Sequence, residues 1–526
     1  MKTTRRGSLR ILLGGLASLT GGRVLAQTAT EPFEIHMGTR NTLLGAIGRK
    51  LPRWRRRPPP IKLYPGKNRH PLPPVFVRDA LPLSDVIRRY VPAEGFASAG
   101  VSLSEISRLL FFTNGITGHL SLPGGNAPID LRAAPSAGAL YAGEVYLVAV
   151  RVADLAPGVY NYSVKTHELI RVRQAFDHQT LLTAFEYPTT VANAAVFVVI
   201  TNVFLRYQWT YANRGYRYAL IDTGHIGENL RLAAASLGWN ETRPARFQDD
   251  LLNTLLAIDG RHEAACAIHA LGLPTTAGAP PNRTVVALAE QQQLRPTAVA
   301  PDLPLTQRYH EATKLAPGVP PTVTEPAVMQ SEPPPSEDVA LPEPQDWPQM
   351  SVEQSIRERR SPLAFGPGSI GLDQLAVVLE LAQQPRAYAR TTGVDLYILV
   401  YAVDGLEPGL YRYLPATRRL ALVRRGDWRQ PMVRICLGQQ KAGSAAVACL
   451  MVGRLTAAIS RGGHRRYRDL LIEAGEIGQR IYLGAESLTL AARNLAAFRD
   501  DDLNGLLGLD GRDLAVLHLT MLGHGA

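Results

Sequence analysis

The chain has 526 residues, of which 46% are hydrophobic and 19% are charged, and this composition excludes wholesale disorder. The length predicts two to four domains. The net charge of +12 does not predict a nucleic-acid partner. Much of it lies in one Arg- and Lys-rich run at 49–70, and the other basic residues are not interleaved with aromatic ones. The three cysteines include no Cys-x-x-Cys pair, so the sequence predicts neither a disulfide framework nor a zinc site.

The first 26 residues have the organisation of an export signal. Twin arginines precede a short apolar run at 11–19, and a small-residue site follows it. The run is too short for a stable membrane span. We interpret residues 1–26 as a twin-arginine signal, which predicts an exported, periplasmic protein; a start at Met37 is the alternative and would leave the protein in the cytoplasm. Residues 27–79 form a basic, proline-rich segment, and its Arg- and Lys-rich run at 49–70 is interpreted as a solvated spacer or a patch near a membrane surface.

The rest of the chain contains a long internal repeat. LAPGVYNY (155–162) returns as LEPGLYRY (406–413), GHIGENLRLAAASLG (224–238) as GEIGQRIYLGAESLT (475–489), and DDLLNTLLAIDGR (249–261) as DDLNGLLGLDGR (501–512). Gly158 and Gly409 are 251 residues apart, and Gly272 and Gly523 have the same separation. A constant offset of this kind indicates a duplicated module.

Both copies have the same predicted order of elements. An amphipathic helix is followed by a strand, a Pro-Gly turn and a second strand, a further strand, a long helix opening at Gly224 or Gly475, and a last strand. This order predicts an α+β sandwich for copy one (80–272) and for copy two (348–526). The Pro-rich segment 273–347 between them is predicted to be an extended or disordered linker. Two tethered copies predict a pseudo-twofold pair whose interface site would take different parts from each copy.

Four segments carry a family resemblance. They are RAAPSAGALYAGEVYLV (132–148), LAPGVYNY (155–162), YQWTYANRGYRYALIDTGHIGENLRLAAASLG (207–238) and YHEATKL (309–315). Together they resemble the nitroreductase-like flavoproteins, and more narrowly their SagB-type branch, whose studied members oxidise azolines to azoles in modified peptides. The resemblance covers most of copy one and, more weakly, copy two. It implies the nitroreductase fold, an antiparallel-rich central sheet flanked by helices, in two tandem copies that form an intramolecular pseudo-dimer with FMN at the interface.

The resemblance also implies a phosphate-binding half-site in copy two. In the family, an Arg-x-Ser segment of one subunit binds the flavin phosphate. The matching segment here is RERRSPLAF, which assigns Arg359, Arg360 and Ser361 to the phosphate. Guanidinium and hydroxyl donors suit a phosphate dianion. In copy one, DVIRRYVPAEG has Tyr90 at the serine position and loses the pattern.

The other half-site is a Pro-Ser loop that, in the family, approaches the flavin ring from the second subunit. Copy one keeps this loop as Pro135, Ser136, Ala137 and Gly138, whereas the repeat offset places Ala387 opposite Ser136. Small residues there would let the backbone lie against a flat ring. Because each copy retains the half-site that the other has lost, the sequence predicts one composite FMN site and one degenerate site.

The catalytic residues are less clear from the sequence. The resemblance implies a Lys-Tyr pair that removes a proton during hydride transfer, but here Thr210 replaces the lysine beside Tyr211. A threonine hydroxyl is not a base near neutral pH. Tyr211 is predicted either to donate a proton to a carbonyl or quinone oxygen or to stack in the pocket. The repeat of Tyr216 and Arg217 in copy two favours a packing role for that pair.

No metal site is predicted. His225 is expected to begin the long helix and has no second His or Cys at ligand spacing. The acidic pairs Asp249–Asp250 and Asp500–Asp502 are predicted to cap helix N-termini.

The sequence therefore predicts an FMN-dependent oxidoreductase acting on a small-molecule or modified-peptide substrate, with no nucleic-acid partner and no stable membrane span. Azoline dehydrogenation and nitro or quinone reduction both stay open, as does a further oligomer. The alternative is a flavin-free scaffold that binds a peptide or a partner enzyme in a vestigial cleft.

Overall fold

The computed structural model describes residues 32–42, 57–64, 68–77, 81–89, 95–121, 128–174, 176–275, 304–315, 337–383 and 393–526. The first half of the chain contains α1 (Pro32–Gly38), β1 (Arg69–Pro71), α2 (Leu83–Arg89), α3 (Leu103–Asn114), β2 (Ile116–Leu120), β3 (Ile129–Arg132), β4 (Gly143–Ala149), β5 (Gly158–Ser163), β6 (Glu168–Arg173), α4 (His178–Leu182), β7 (Val196–Val203), α5 (Phe204–Tyr211), α6 (Gly215–Ser236), β8 (Asn240–Thr242), α7 (Asp249–Leu255) and β9 (Glu263–Gly272).

Within the described residues, the second half repeats this order without the hairpin β2–β3 and with one additional short helix. It contains α8 (Pro304–Ala312), β10 (Asp338–Ala340), α9 (Val352–Glu358), α10 (Leu372–Ala382), β11 (Val394–Val400), β12 (Gly409–Leu414), β13 (Arg419–Arg425), α11 (Arg429–Ile435), α12 (Lys441–Ser444), β14 (Val447–Arg454), α13 (Leu455–Gly462), α14 (Arg465–Ser487), β15 (Ala491–Asn494), α15 (Asp500–Leu507) and β16 (Leu514–Gly523).

Each half forms a seven-stranded antiparallel sheet, and the two sheets have the same topology. The strand orders are β1-β6-β5-β4-β7-β9-β8 and β10-β13-β12-β11-β14-β16-β15. The identical order confirms the predicted α+β fold in two tandem copies. The central strand β4 is buried along its whole length. Its residues alternate between the two faces: Val145 and Leu147 pack towards α3 and α6, while Tyr146 and Val148 pack towards α4 and α7.

The long helices α6 and α14 cross at the centre of the molecule. Helix α6 begins at Gly215, so Gly224 lies in its middle, and the prediction that the helix opens at Gly224 and His225 is wrong. A Cβ at Gly224 would lie 2.9 Å from the Cα of Gly475 in α14 and would overlap the carbonyl oxygen of Ile472. The glycines are therefore needed for the close crossing of two backbones, not for the start of a helix.

Two buried ion-pair clusters join the copies. Asp249 binds Arg465 at 2.6 Å and Arg468 at 2.7 Å. Its counterpart Asp500 binds Arg214 at 2.5 Å and Arg217 at 2.7 Å. The N-cap residues of α7 and α15 are Gln248 and Arg499. The prediction that these aspartates cap helices is therefore wrong, because their carboxylates neutralise arginines of the other copy.

The repeat extends into the segments that flank the predicted copies. In α1, His36 Nδ1 lies 3.3 Å from the hydroxyl of Tyr467. In α8, His310 Nδ1 lies 3.4 Å from the hydroxyl of Tyr216. Since Tyr216 and Tyr467 are equivalent in the repeat, the leading helix of each copy packs on the other copy. Helix α8 and strand β10 thus differ from the expectation of an extended linker over 273–347.

The segment 57–64 also differs from the expectation of a solvated spacer. Lys62 is buried and pairs with Glu263, and its Nζ lies 2.6 Å from the hydroxyl of Tyr146. Arg57 donates to the backbone oxygen of Ala139. Segment 57–64 is therefore anchored to copy one and contacts the backbone directly after the Pro-Ser loop. The three cysteines of the chain are buried and free.

The offset between the copies changes before the sheets. Helices α2 and α9 begin at Leu83 and Val352, which are 269 residues apart, because copy one has the extra hairpin β2–β3 before β4. With this offset, Tyr90 corresponds to Arg359 and not to Ser361, so the predicted equivalence is corrected. Tyr90 and Ala387 both lie outside the described residues.

Candidate functional site

A cavity of about 620 Å³ opens between the two copies. Its lining includes every predicted site residue except Thr210, namely Pro135, Ser136, Ala137, Gly138, Tyr211, Arg359, Arg360 and Ser361. The fold thus brings together two half-sites that lie more than two hundred residues apart in the sequence.

One end of the cavity is positively charged. Arg359 follows the last residue of α9 and is 4% exposed. Its Nε donates to the carbonyl of Ala133 at 3.2 Å and one terminal nitrogen donates to that of Arg132 at 3.0 Å. No carboxylate in the described part of the chain forms an ion pair with Arg359, and burial lowers the pKa of its guanidinium. A buried cation that lacks a direct ion-pair partner and opens to a cavity is suited to an anionic ligand.

Two further arginines surround this end. Arg360 donates to the carbonyl of Thr117 at 2.8 Å and so holds the β2–β3 hairpin beside the cavity. Arg493, in β15, donates to the carbonyl of Pro362 at 2.5 Å. Within the described ranges neither forms an ion pair with a carboxylate. The guanidinium groups of Arg359, Arg360 and Arg493 therefore all line the cavity, and in the described ranges none of them forms an ion pair with a carboxylate, although the charge of Glu486 is near enough to act on Arg359.

The Pro-Ser loop forms another wall, and the side chain of Ser136 ties it down. Ser136 Oγ accepts from the backbone N–H of Tyr141 at 2.9 Å and lies 2.6 Å from the hydroxyl of Tyr207. The hydroxyl of Tyr207 donates to the carboxylate of Asp222. Because Tyr207 has a single hydrogen and gives it to Asp222, Ser136 donates its own hydrogen to Tyr207. The serine side chain is thus engaged inside the protein.

The conformation and the surroundings of Gly138 both require a glycine at this position of the loop. Its φ is +63°, and a Cβ there would lie 2.7 Å from the hydroxyl of Tyr211. A larger residue would be strained in this conformation and would push against the tyrosine.

Tyr211 lies beside the loop, at the end of α5. Its ring packs edge-on against Tyr218, with the ring centroids 4.7 Å apart. Burial raises the pKa of the Tyr211 phenol, so the group stays protonated at neutral pH and is a hydrogen-bond donor. Thr210, its neighbour on the helix, is half-buried and does not line the cavity.

Several lining residues were missed by sequence reasoning. They are Tyr482 in α14, Arg493 and Asn494 in β15, and Asp222 in α6. The repeat could have indicated two of them, because the copies differ there: copy one has Arg231 at the position of Tyr482 and Arg243 at the position of Asn494.

The repeat relates these cavity residues to a second position at the interface between the copies. At that second position, charged side chains pair with one another. Arg231 binds Glu228 at 2.5 Å. Arg243 lies 3.5 Å from Glu476, which occupies the place of His225. These side chains replace the uncharged Tyr482 and Asn494 of the cavity, so the two interface positions are chemically different.

Among the described residues, no helix is long and apolar enough to cross a membrane. No group of three or more His, Cys, Asp and Glu side chains in those same ranges is placed to hold a metal ion. His225 instead accepts from the side-chain amide of Asn494 at 2.8 Å, and its ring meets that of His518 edge-on at 5.6 Å.

Each copy is an antiparallel sheet flanked by helices, and the cavity lies between the two copies. The family model described as "Nitroreductase family" matches residues 95–273 and 356–524. The two matches cover more than half of the sequence, and the chain belongs to the nitroreductase family.

Three relatives illustrate this membership. A candidate nitroreductase of Methanocaldococcus jannaschii is 28% identical over 181 residues, which are 34% of this chain and 86% of that protein. The trifolitoxin operon protein TfxC of Rhizobium leguminosarum bv. trifolii is 33% identical over 143 residues, 26% of this chain and 38% of that protein. The solved structure of a candidate nitroreductase from Anabaena variabilis is 27% identical, with a TM-score of 0.75, and the match covers 95% of this chain and 100% of that one. That coverage shows that the two-copy arrangement is shared.

Proposed function

We propose that the protein is an FMN-dependent oxidoreductase with one composite site, between the phosphate-binding segment of copy two and the Pro-Ser loop of copy one. The observation that carries the proposal is that one cavity is lined by Arg359 and Ser361 of copy two together with Ser136 and Gly138 of copy one. Members of the nitroreductase family generally bind FMN.

The residues present fit this cofactor. The cavity volume of about 620 Å³ is in the range of small-molecule sites, roughly 300–1,000 Å³. Arg359, Arg360 and Arg493 provide guanidinium groups that can bind a phosphate dianion. The loop from Pro135 to Gly138 lines the cavity with small side chains, so a ring system can lie close to it.

Bound FMN would supply hydride transfer; the chain supplies orientation and protons. Arg359 and Ser361 would fix the anionic end of the ligand. Ser136, held by Tyr207, keeps the loop backbone in place. Tyr211, neutral and lining the cavity, is the group placed to donate a proton to an oxygen atom of a substrate, such as that of a quinone or a nitro group.

Reduction of a quinone or nitro compound is the first candidate reaction, because Thr210 provides no base and does not line the cavity. Dehydrogenation of a modified peptide, as in the SagB-type branch, is the second candidate. It is favoured by the similarity to a protein of the trifolitoxin operon. A direct comparison of turnover with quinone, nitro and azoline substrates distinguishes the two.

Reconstitution with FMN tests the proposal. The wild-type protein is expected to show flavin absorbance after incubation with FMN and desalting, and Arg359→Ala is expected to lose it. Arg357→Ala is the matched control, because Arg357 is an exposed arginine two residues away and should retain FMN. A wild-type protein that takes up no FMN would instead support the flavin-free scaffold.

We also propose export through the twin-arginine route, on the basis of residues 1–26, which lie outside the described residues. A fusion of these residues to a reporter is expected to reach the periplasm. A Lys-Lys replacement of the twin arginines should abolish that export.

A further inference from the structure

The hydrogen bonds around Ser361 favour one direction for its hydroxyl hydrogen. The hydroxyl oxygen of Tyr482 lies 2.9 Å from the backbone nitrogen of Asn494 and 2.8 Å from Ser361 Oγ. The backbone N–H can only donate, so the phenol oxygen accepts it. The phenol hydrogen then needs an acceptor, because Tyr482 is 2% exposed. Ser361 Oγ lies at hydrogen-bond distance, and donation from Tyr482 to this oxygen satisfies the phenol inside the protein; the inference rests on this direction.

It follows that Ser361 keeps its own hydrogen for another partner. Ser361 and Tyr482 both line the cavity, at the end where Arg359 lies. The guanidinium of Arg359 is also 5.3 Å from the ring centroid of Tyr482, within the range of a cation–π contact. The serine O–H and the arginine are therefore presented to the same region. Ser136 differs, because its hydrogen is used on Tyr207.

We propose that Tyr482 is a positioning residue that directs the Ser361 hydroxyl towards the phosphate of the flavin, and that it thereby sets a preference for FMN over riboflavin, which lacks the phosphate. This inference rests on the proposed function. In copy one the equivalent position is Arg231, whose guanidinium pairs with Glu228. That arginine can accept no hydrogen bond, and the arrangement has no counterpart there.

The variant Tyr482→Phe tests the role of the hydroxyl alone, because it keeps the ring and its contact with Arg359. Titration of the flavin-free protein, followed by quenching of flavin fluorescence, gives dissociation constants for FMN and riboflavin. FMN affinity is expected to fall roughly tenfold, the size expected for a hydrogen bond to a charged group. Riboflavin affinity is expected to stay within about twofold.

A double-mutant cycle with Ser361→Ala shows whether Tyr482 acts through the serine. If it does, Tyr482→Phe has no further effect on FMN affinity in the Ser361→Ala background. Tyr218→Phe is the control, since Tyr218 also lines the cavity but donates to the backbone oxygen of Ala496. It should leave the ratio of FMN to riboflavin affinity unchanged.

Three results would overturn the inference: an equal loss of affinity for both flavins, an unchanged FMN affinity, or an effect of Tyr482→Phe that persists without the serine hydroxyl. Each of these leaves the proposed function standing, provided that the wild-type protein binds FMN. A wild-type protein that binds neither flavin overturns the proposed function and this inference together.

Discussion

Gly224 of copy one and Gly475 of copy two lie against each other where the central helices cross. A Cβ on Gly475 would lie 3.1 Å from the Cα of Gly224 and would overlap the carbonyl of Ile221. The crossing sets the distance between the copies, and the cavity lies between them. Glycine is otherwise unfavourable in a helix interior, by about 1 kcal/mol relative to alanine.

The first prediction concerns this crossing. Gly224→Ala is expected to lower the free energy of unfolding by about 3 kcal/mol, because the overlap with α14 outweighs the gain in helix propensity. Thermal unfolding followed by circular dichroism measures the effect. Gly505→Ala is the control, because a Cβ at this exposed position of α15 meets no atom within 4 Å. Equal stability of Gly224→Ala and the wild type would show that the helices can separate freely.

The second prediction concerns the ion pairs between the copies. Burial alone would raise the pKa of Asp500, but Arg214 and Arg217 lower it to about 2. A carboxyl whose folded pKa is below its unfolded value stabilises the fold above the unfolded pKa, about 3.9, and loses that contribution as the pH falls towards 2. Asp500→Asn is expected to destabilise the protein by about 3 kcal/mol at pH 7, because two buried arginines lose their partner.

The pH dependence identifies this mechanism. Urea unfolding at several pH values should show the difference between wild type and Asp500→Asn narrowing below about pH 4. Asp502→Asn should have little effect at any pH, because Asp502 is exposed and pairs with its neighbour Arg499 on the surface. A constant difference between pH 7 and pH 3 would contradict the assignment.

The repeat and the two half-sites could be predicted from the sequence because each is visible in short stretches of consecutive residues. Ser136 and Ser361 each belong to a short motif that is present once. The partners that orient them could not be predicted, since Tyr207 and Tyr482 are ordinary residues of helices until the fold places their hydroxyls beside the serines. Likewise, the role of Asp249 depends on arginines more than two hundred residues away, and short-range patterns favoured a helix cap instead.

The third prediction is the binding stoichiometry. We expect one FMN per chain, because Arg231 with Glu228 and Arg243 with Glu476 form charge pairs at the second interface position. Flavin absorbance after release from a weighed amount of protein gives the ratio. Two FMN molecules per chain would show that these pairs do not block the second position.

The fourth prediction concerns Tyr211. Tyr211→Phe is expected to reduce turnover of a quinone or nitro substrate roughly 100-fold, the lower end of the range for a general acid, and to leave FMN affinity within about twofold. Because burial raises the pKa of this phenol, no loss of activity from its ionisation is expected below about pH 10. Thr210→Ala should retain full turnover, since Thr210 does not line the cavity. Full activity of Tyr211→Phe would leave Tyr211 with a stacking role only.

The last prediction distinguishes the end of the site that would contact the flavin ring from the end that would contact its phosphate. In Tyr207→Phe, Ser136 loses its acceptor and the Asp222 carboxylate loses its donor, so the Pro-Ser loop is no longer tied to α6. An unmade buried hydrogen bond costs about 1–3 kcal/mol, and the loop is expected to bind the ring roughly tenfold more weakly. Because this end would contact the ring and not the phosphate, affinities for FMN and riboflavin should fall by the same factor. Tyr482→Phe should weaken FMN alone, so titrating both variants with both flavins provides each with its own control. A selective loss of FMN in Tyr207→Phe would mean that the ligand lies in the cavity in the opposite direction.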